Sequence, residues 1–201
     1  TIPRRFSDGY GVSASNVSNM NGGLLITVDN GIAAIDAVSA AKNNNVDVII
    51  LDHHQPKKNE DGSLNLPEAD VIVDPHVTGG DYKDYCGAGL AYLFADAVLS
   101  DPDFHIGKKL KNYAVSCMVS YAAIATVADA VPMTWHNRRI VKNGLWCMER
   151  GFCSTGLKAL LEKYDLYGYI TSMDLGFKIG PAINAYGRLE DKGSRKVKQF
   201  L

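Results

Sequence analysis

The chain has 201 residues, of which 46% are hydrophobic and 21% are charged, and its formal net charge is −1. This composition is typical of a globular protein and excludes binding to nucleic acid through overall positive charge. No apolar run approaches the roughly 18 residues needed to cross a bilayer, so we expect no membrane partner.

The first half of the chain predicts a small parallel β-sheet. Residues 24–28 form a short, β-branched apolar run, residues 32–42 repeat apolar side chains at helical spacing, and residues 46–51 form a second strand-like run. This order predicts a βαβ unit whose two strands are parallel and buried on both faces. A third strand is predicted at residues 70–73, after a polar loop.

The second half of the chain predicts helices, with bounds at 87–99, 107–127, 136–150 and 154–164. We therefore predict an α/β fold, in which a parallel sheet with flanking helices is followed by a mostly helical half. The simplest organisation is one domain. Its sheet would lie in residues 1–100 and its helical part in residues 101–201, which would end in a connecting helix after Arg188.

The four cysteines and three of the four basic clusters are not assigned to a functional site. The four cysteines have no Cys-x-x-Cys spacing, which argues against zinc and favours free thiols in a reducing cytoplasm. Basic residues cluster at 4–5, 108–111, 138–139 and 195–198, and for the last three clusters we expect solvated helix faces and ends. The cysteines are Cys86, Cys117, Cys147 and Cys153.

Side chains suited to metal binding follow the first two predicted strands. Asp29 comes directly after the first strand, and Asp52, His53 and His54 come after the second. Parallel strands joined by a right-handed crossover end at the same edge of a sheet, and neighbouring strands lie about 4.8 Å apart. These residues should therefore face one small volume. Carboxylate oxygen and imidazole nitrogen together suit a divalent ion such as Mn²⁺, Fe²⁺ or Zn²⁺.

Two of the acids could instead have purely structural roles, and the sequence leaves both possibilities open. Asp29, Asn30 and Gly31 could form only a tight turn, because Asn and Gly tolerate the left-handed backbone. Asp129 ends the apolar run 122–128, where a buried carboxylate would be costly unless it were paired or bound to a metal. It could equally cap a turn ahead of the following proline.

Several segments of the chain resemble the motifs of one enzyme family. Residues 27–31 (Thr-Val-Asp-Asn-Gly), 52–54 (Asp-His-His) and 125–129 (Ala-Thr-Val-Ala-Asp) are similar to signature motifs of the DHH phosphoesterases. Within that family, the chain more closely resembles the RecJ-type single-strand-specific exonucleases. The segments that carry this closer likeness, in the expected order along the chain, are residues 3–11, 86–91 and 179–189.

The resemblance implies a metal-dependent phosphodiesterase. It would hydrolyse single-stranded DNA from the 5′ end with two Mn²⁺ or Mg²⁺ ions, in DNA repair and recombination. A helicase and a single-strand-binding protein would be candidate partners. The alternatives are a DHH enzyme for short oligonucleotides or nucleotide phosphates, and a nucleic-acid-binding module without metals. The retained Asp29, His53, His54 and Asp129 favour an active enzyme.

The resemblance also implies a role for each motif residue. Asp29 would bridge the two metal ions, and His53 and Asp129 would bind one of them. Two ions about 3.5–4 Å apart can activate a water molecule and stabilise the leaving oxygen. His54 would contact the scissile phosphate, while Asp52 would support the histidines from behind.

Three further residues would bind the DNA substrate. Arg5 and Arg188 would hold phosphates, for which a guanidinium is well shaped, and Asn184 belongs to the same motif as Arg188. The chain departs from the usual RecJ pattern at two nearby positions. It has Arg4 in place of His, and Ala182 in place of Arg.

The family's first motif, an Asp-x-Asp-x-Asp-Gly cluster, does not occur in the 201 residues. The first residues also lack a methionine and an apolar signal segment. We therefore interpret the chain as part of a longer protein that would supply this cluster and a C-terminal substrate-gripping domain. We expect the chain alone to bind metal weakly or at a single site, and to have little or no nuclease activity.

Overall fold

The structure, a computed structural model, describes residues 11–190 and 192–201. The chain divides into two compact units, Thr1–Leu90 and Ala91–Leu201. That residues 1–100 form the sheet-containing part and residues 101–201 the helical part of the chain stays a prediction. That the whole chain forms one domain stays a prediction.

The first unit contains a parallel sheet with flanking helices, so the predicted fold class is confirmed. Three strands form this sheet in the order β1-β2-β5, and both neighbouring pairs are parallel. The short strands β3 and β4 form a separate antiparallel pair. The elements are α1 (Ala14–Val17), β1 (Leu24–Val28), α2 (Ile35–Asn43), β2 (Asp47–Leu51), β3 (Lys57–Lys58), β4 (Leu64–Asn65), β5 (Val71–Val73), α3 (Pro75–Thr78) and α4 (Gly87–Ser100), of which residues 91–100 belong to the second unit.

The three parallel strands end at the same level of the sheet. Val28 pairs with Leu51, and Leu51 pairs with Val73. Beyond these pairs, the N–H of Asp29 donates to the carbonyl of Leu51 at 2.9 Å, and the N–H of Asp52 donates to the carbonyl of Val73 at 3.1 Å. The residues that directly follow the strands are Asp29, Asp52 and Asp74.

The core of the first unit forms where β2 packs against α2. Val48 and Ile50 alternate along β2 and are fully buried, together with Val38 and Ala41 of α2. Each element therefore presents one apolar face to the other. The prediction that both strands are buried on both faces is wrong for β1, whose alternate apolar residues are between 40% and 53% exposed. β1 is an edge strand of this sheet, and one of its faces is open.

The second unit is helical, as the sequence predicted. Its elements are α5 (Lys108–Ala128), α6 (Trp135–Glu149), α7 (Thr155–Lys163), α8 (Ser172–Asp174), one π-helical turn (Leu175–Ile179), α9 (Gly180–Leu189) and α10 (Gly193–Phe200). Its core contains Ala123 and Ile124 of α5, Val141 and Met148 of α6, and Leu157 of α7. Within the described ranges, no helix is long and apolar enough to cross a membrane.

Helices α5 and α6 approach most closely at Gly144. A Cβ atom at this position would lie 2.4 Å from the Cβ of Ala123 and 2.7 Å from the carbonyl oxygen of Val119. Both neighbours belong to the backbone or the first side-chain atom of α5, so they cannot rotate away. The missing side chain therefore sets the distance between the two helices.

We expect Gly144→Ala to lower the stability of the protein. Overpacking of a tight core costs about 1–3 kcal/mol, which exceeds the gain of about 1 kcal/mol from replacing glycine by alanine in a helix. Thermal unfolding of the variant should show a lower midpoint than the wild type. Asn143→Ala, at the exposed neighbouring position, is the control, and an equal midpoint for the two variants would contradict the packing role of Gly144.

Candidate metal centre

Asp29 lies in a strained turn at the end of β1. Its φ angle is +62°, in the left-handed region that few residues other than glycine adopt. Gly31 follows with φ +120°, and a Cβ atom there would lie 2.4 Å from the hydroxyl oxygen of Thr27. Asn30 donates its side-chain amide to the carbonyl of Val28 at 2.9 Å. The tight turn that the sequence allowed therefore exists, and Asp29 forms part of it.

Three side chains at this edge of the sheet converge. The Nε2 atom of His53 lies 3.0 Å from the Oδ1 atom of Asp29, and the rings of His53 and His54 have centroids 4.4 Å apart. One ligand atom from each of Asp29, His53 and His54 lies within 4.8 Å of the other two. Over residues 11–190 and 192–201, no other group of three His, Cys, Asp or Glu side chains has this spacing. A single divalent ion could be held by all three.

Asp52 holds the histidines in place from behind. Its buried carboxylate accepts the backbone N–H groups of His53 at 2.8 Å and of Ile32 at 2.9 Å. Its Oδ1 atom also lies 2.7 Å from the Nδ1 atom of His54. Burial raises the pKa of the Asp52 carboxyl, but the hydrogen bonds from Ile32, His54 and His53 together outweigh this effect, so the pKa lies below its usual range. An ionised Asp52 favours a proton on Nδ1 of His54 and leaves Nε2 to face a ligand.

A third acid, Asp74, was not among the predicted site residues. It follows β5, its side chain is completely buried, and its Oδ1 atom accepts the N–H of His76 at 2.8 Å as the N-cap of α3. Its Oδ2 atom has no hydrogen-bond partner among the described residues. Burial raises the pKa of Asp74, and the nearby charge of Asp52 adds to that rise. The sequence contained one indication of Asp74 as a site residue, because it directly follows the third predicted strand.

Gly87 is a second residue near the site that the sequence did not single out by itself. A Cβ atom at Gly87 would lie 2.4 Å from the Oδ1 atom of Asp29 and 2.6 Å from its Cα atom. The thiol of Cys86 accepts the N–H of Gly89 at 3.4 Å and so helps to start α4. The segment that starts α4 therefore packs directly against the backbone and carboxylate of Asp29, which only a glycine permits.

Asp129 is the C-cap residue of α5, and its N–H donates to the carbonyl of Ala125 at 2.8 Å. It is exposed at the end of the apolar run. The helix ends in the left-handed residue Ala130, whose φ is +54°, which agrees with the alternative that Asp129 lies at a turn. Its role as a metal ligand stays a prediction.

The predicted DNA-binding residues are described in part. Asn184 and Arg188 are both exposed on α9, and their spacing of four residues puts them on one side of the helix. Arg5 lies outside the described residues. The contacts of all three residues with DNA stay predictions.

The sequence matches the model of the DHH family, N-terminal domain, over residues 1–128. The chain belongs to the DHH family. It is 34% identical over 199 residues to the single-stranded-DNA-specific exonuclease RecJ of Salmonella typhimurium, and 36% identical over 197 residues to that of Bacillus subtilis. The alignments cover 94% of this chain, and 33% and 22% of the two relatives. The chain thus spans a third or less of the length of these relatives.

A solved structure supports the same membership. The crystal structure of exonuclease RecJ bound to manganese aligns with a TM-score of 0.75 at 30% identity, over 100% of this chain and 48% of that chain. At this identity and coverage, the DHH-family chain and the RecJ exonuclease have the same fold, including the parallel sheet that carries Asp29 and the Asp-His-His motif.

We expect Gly87→Ala to weaken metal binding by this DHH-family chain. The new methyl group would displace Asp29, and loss of an orienting contact around a metal ligand typically costs about 10–100-fold in affinity. Calorimetric titration with Mn²⁺ would measure the change. Gly80→Ala is the control, because its nearest neighbour would be 3.9 Å away. Equal Mn²⁺ affinities for the two variants would contradict the proposed contact.

We expect Asp74→Asn to raise the stability of the protein increasingly as the pH rises. The raised pKa means that folded Asp74 keeps its proton at pH values where the unfolded chain has lost it, so wild-type stability falls between the two pKa values. Asparagine caps α3 equally well and has no proton to lose. An unsatisfied buried polar group costs about 1–3 kcal/mol, so the gain in free energy of unfolding from Asp74→Asn should not exceed this range.

Denaturant unfolding with a chelator present, between pH 4 and pH 8, would test this expectation. The difference in free energy of unfolding between Asp74→Asn and the wild type should be small at the acid end and larger at the alkaline end. The exposed Asp103→Asn variant is the control and should show no such trend. A difference that is independent of pH would show that Asp74 is ionised in the folded protein throughout this range.

Proposed function

We propose that the protein is a metal-dependent exonuclease that hydrolyses single-stranded DNA from its 5′ end, in DNA repair and recombination. The observation that carries this proposal is the convergence of Asp29, His53 and His54 within 4.8 Å. The relatives supply the substrate, since both RecJ proteins are named as single-stranded-DNA-specific exonucleases. A helicase and a single-strand-binding protein, as partners, belong to the same proposal.

The donor set fits a divalent metal ion. Carboxylate and imidazole donors together suit Mn²⁺ better than Mg²⁺, because Mg²⁺ prefers oxygen ligands alone. The buried Asp52 orients the ring of His54 and the backbone of His53, as carboxylates behind the ligands do in other metal centres. We propose that Asp29 would hold both metal ions and that His53 and Asp129 would hold one of them. When bound, the ions would activate a water molecule and stabilise the leaving oxygen.

The protein's own side chains would position the DNA. His54 is held through Nδ1 by Asp52, and we propose that its ring contacts the scissile phosphate through Nε2, which would donate a hydrogen bond when both ring nitrogens carry a proton. Arg188 and Asn184 lie one turn apart on the exposed side of α9, where a guanidinium and an amide can contact successive backbone oxygens. Arg5 would hold a further phosphate.

The proposal is tested with the full-length protein and a 5′-labelled single-stranded oligonucleotide in Mn²⁺. We expect Asp52→Asn to lower the rate by about 10–100-fold, the usual effect of removing the partner of a ligating histidine. Asp29→Asn removes the negative charge of a ligand and His53→Ala removes a ligand outright, so their losses should be larger. His105→Ala, an exposed histidine on a loop, is the matched control and should keep wild-type activity.

The choice of substrates separates the alternatives. Early release of the labelled 5′ nucleotide, with little hydrolysis of a dinucleotide or pyrophosphate, is expected of a 5′ exonuclease. Preferred hydrolysis of dinucleotides would instead favour a DHH enzyme for short oligonucleotides. Equal rates for His53→Ala and His105→Ala would contradict a metal site at the sheet edge.

A further inference from the structure

The exposed side of α6 carries aromatic and basic side chains at helical intervals. Trp135, Arg139, Lys142, Trp146 and Arg150 recur every three or four residues, from the first residue of α6 to its C-cap, and all five are exposed. This spacing places them on one side of the helix, which we call the α6 face. At a rise of about 1.5 Å per residue, the face is about 22 Å long.

The two tryptophans lie in solvent rather than in a core. Trp135 is 80% exposed and Trp146 is 48% exposed, although indole is among the most apolar surfaces that a protein can bury. Trp135 also has a φ of +34°, an unfavourable backbone conformation for a residue with a side chain. Such strain costs about 1–3 kcal/mol and clusters at ligand-binding positions. Burial against the core of the second unit therefore does not explain why α6 carries these two tryptophans.

Trp146 is the centre of a small aromatic and cationic group. The guanidinium carbon of Arg150 lies 4.5 Å from the centre of the Trp146 ring, and the ring of the exposed Phe152 lies 5.7 Å from it. A guanidinium stacked on an indole keeps its N–H donors in its own plane, where they can reach a phosphate. The pair thus offers a flat apolar surface and a preorganised cation at one place.

The charge of this face is positive. Among the described residues, no carboxylate forms an ion pair with Arg139, Lys142 or Arg150. Glu149, the acid nearest in sequence, is half-buried, and its carboxylate accepts the N–H of Ile170 at 3.1 Å. Because the whole chain has a net charge of only −1, the α6 face is a local positive surface that complements a polyanion.

We propose that the α6 face is an accessory binding surface for single-stranded nucleic acid. Bases would stack on Trp135 and Trp146, and phosphates would contact Lys142 and Arg150. Alternating aromatic and basic side chains are what a single strand requires, because it presents unpaired bases and a charged backbone together. An acidic peptide would use the cations but not two exposed indoles. The inference rests on the proposed function, to which it adds a contact made by residues outside the metal centre.

The test measures binding of a fluorescent oligo-thymidine to the full-length protein by anisotropy, with a chelator present to prevent hydrolysis. Trp146→Ala should weaken binding by about 5- to 150-fold, which corresponds to the 1–3 kcal/mol of one stacked base. Trp146→Phe keeps a stacking ring and should retain most of the affinity. The double variant Lys142→Gln/Arg150→Gln should flatten the dependence of log affinity on log salt by about 1.4, since each phosphate contact to a single strand contributes about 0.7.

Matched controls lie elsewhere on the second unit. Tyr169→Ala removes an aromatic ring that is 82% exposed, and Lys108→Gln/Lys109→Gln removes two exposed cations at the start of α5. Both should bind the oligonucleotide as the wild type does. Equal affinity of Trp146→Ala and Tyr169→Ala would overturn the proposal. So would a loss of affinity in the charge variant without any loss in Trp146→Ala, because no base would then stack on the indole.

Failure of this inference and failure of the proposed function give different results. If His53→Ala keeps full nuclease activity while the α6 variants lose oligonucleotide affinity, then the metal centre is wrong and the α6 face stands. If His53→Ala is inactive while the α6 variants bind normally, then the reverse holds.

Discussion

The register of three parallel strands is the constraint on which the candidate metal centre depends. Val28, Leu51 and Val73 are paired across the sheet, so the residue after each strand emerges at the same edge. A slip of one residue between β1 and β2 would turn the side chains of one strand to the opposite face. The buried residues of β2 oppose such a slip, because they would leave the core against α2. Core packing on one face of the sheet thus fixes the geometry of the ligands that follow its strands.

Asp52 connects the end of the sheet to the histidines through hydrogen bonds. One buried carboxylate accepts N–H groups from the turn before α2 and from the Asp-His-His segment, and it also holds the ring of His54. A buried charge is tolerated when its acceptor positions are filled in this way. The orientation of the histidine rings therefore follows from folding of the first unit. A metal ion would bind ligands that are already arranged, and it would not have to organise them.

The sequence predicted the reactive residues better than their surroundings. Asp29 and the Asp-His-His motif follow apolar runs that are visible in the sequence, and parallel pairing brings them together by geometry alone. The burial of Asp74 and the exposure of Asp129 depend on where a short strand and a long helix end relative to solvent, which local apolarity does not reveal. The contact between Gly87 and Asp29 joins distant parts of the chain, so no local pattern indicates it.

The left-handed backbone at position 29 has a consequence for how this site can change over evolution. Among residues with a side chain, Asn and Asp adopt that conformation most readily, because their short polar side chains compensate the steric cost locally. Glutamate preserves the charge of Asp29 but lacks this advantage, whereas asparagine fits the backbone and abolishes the charge. Substitution at position 29 is therefore best tolerated by the backbone when it gives asparagine, which is neutral. A related protein can therefore lose the charged metal ligand and still keep the fold, because the turn accommodates asparagine.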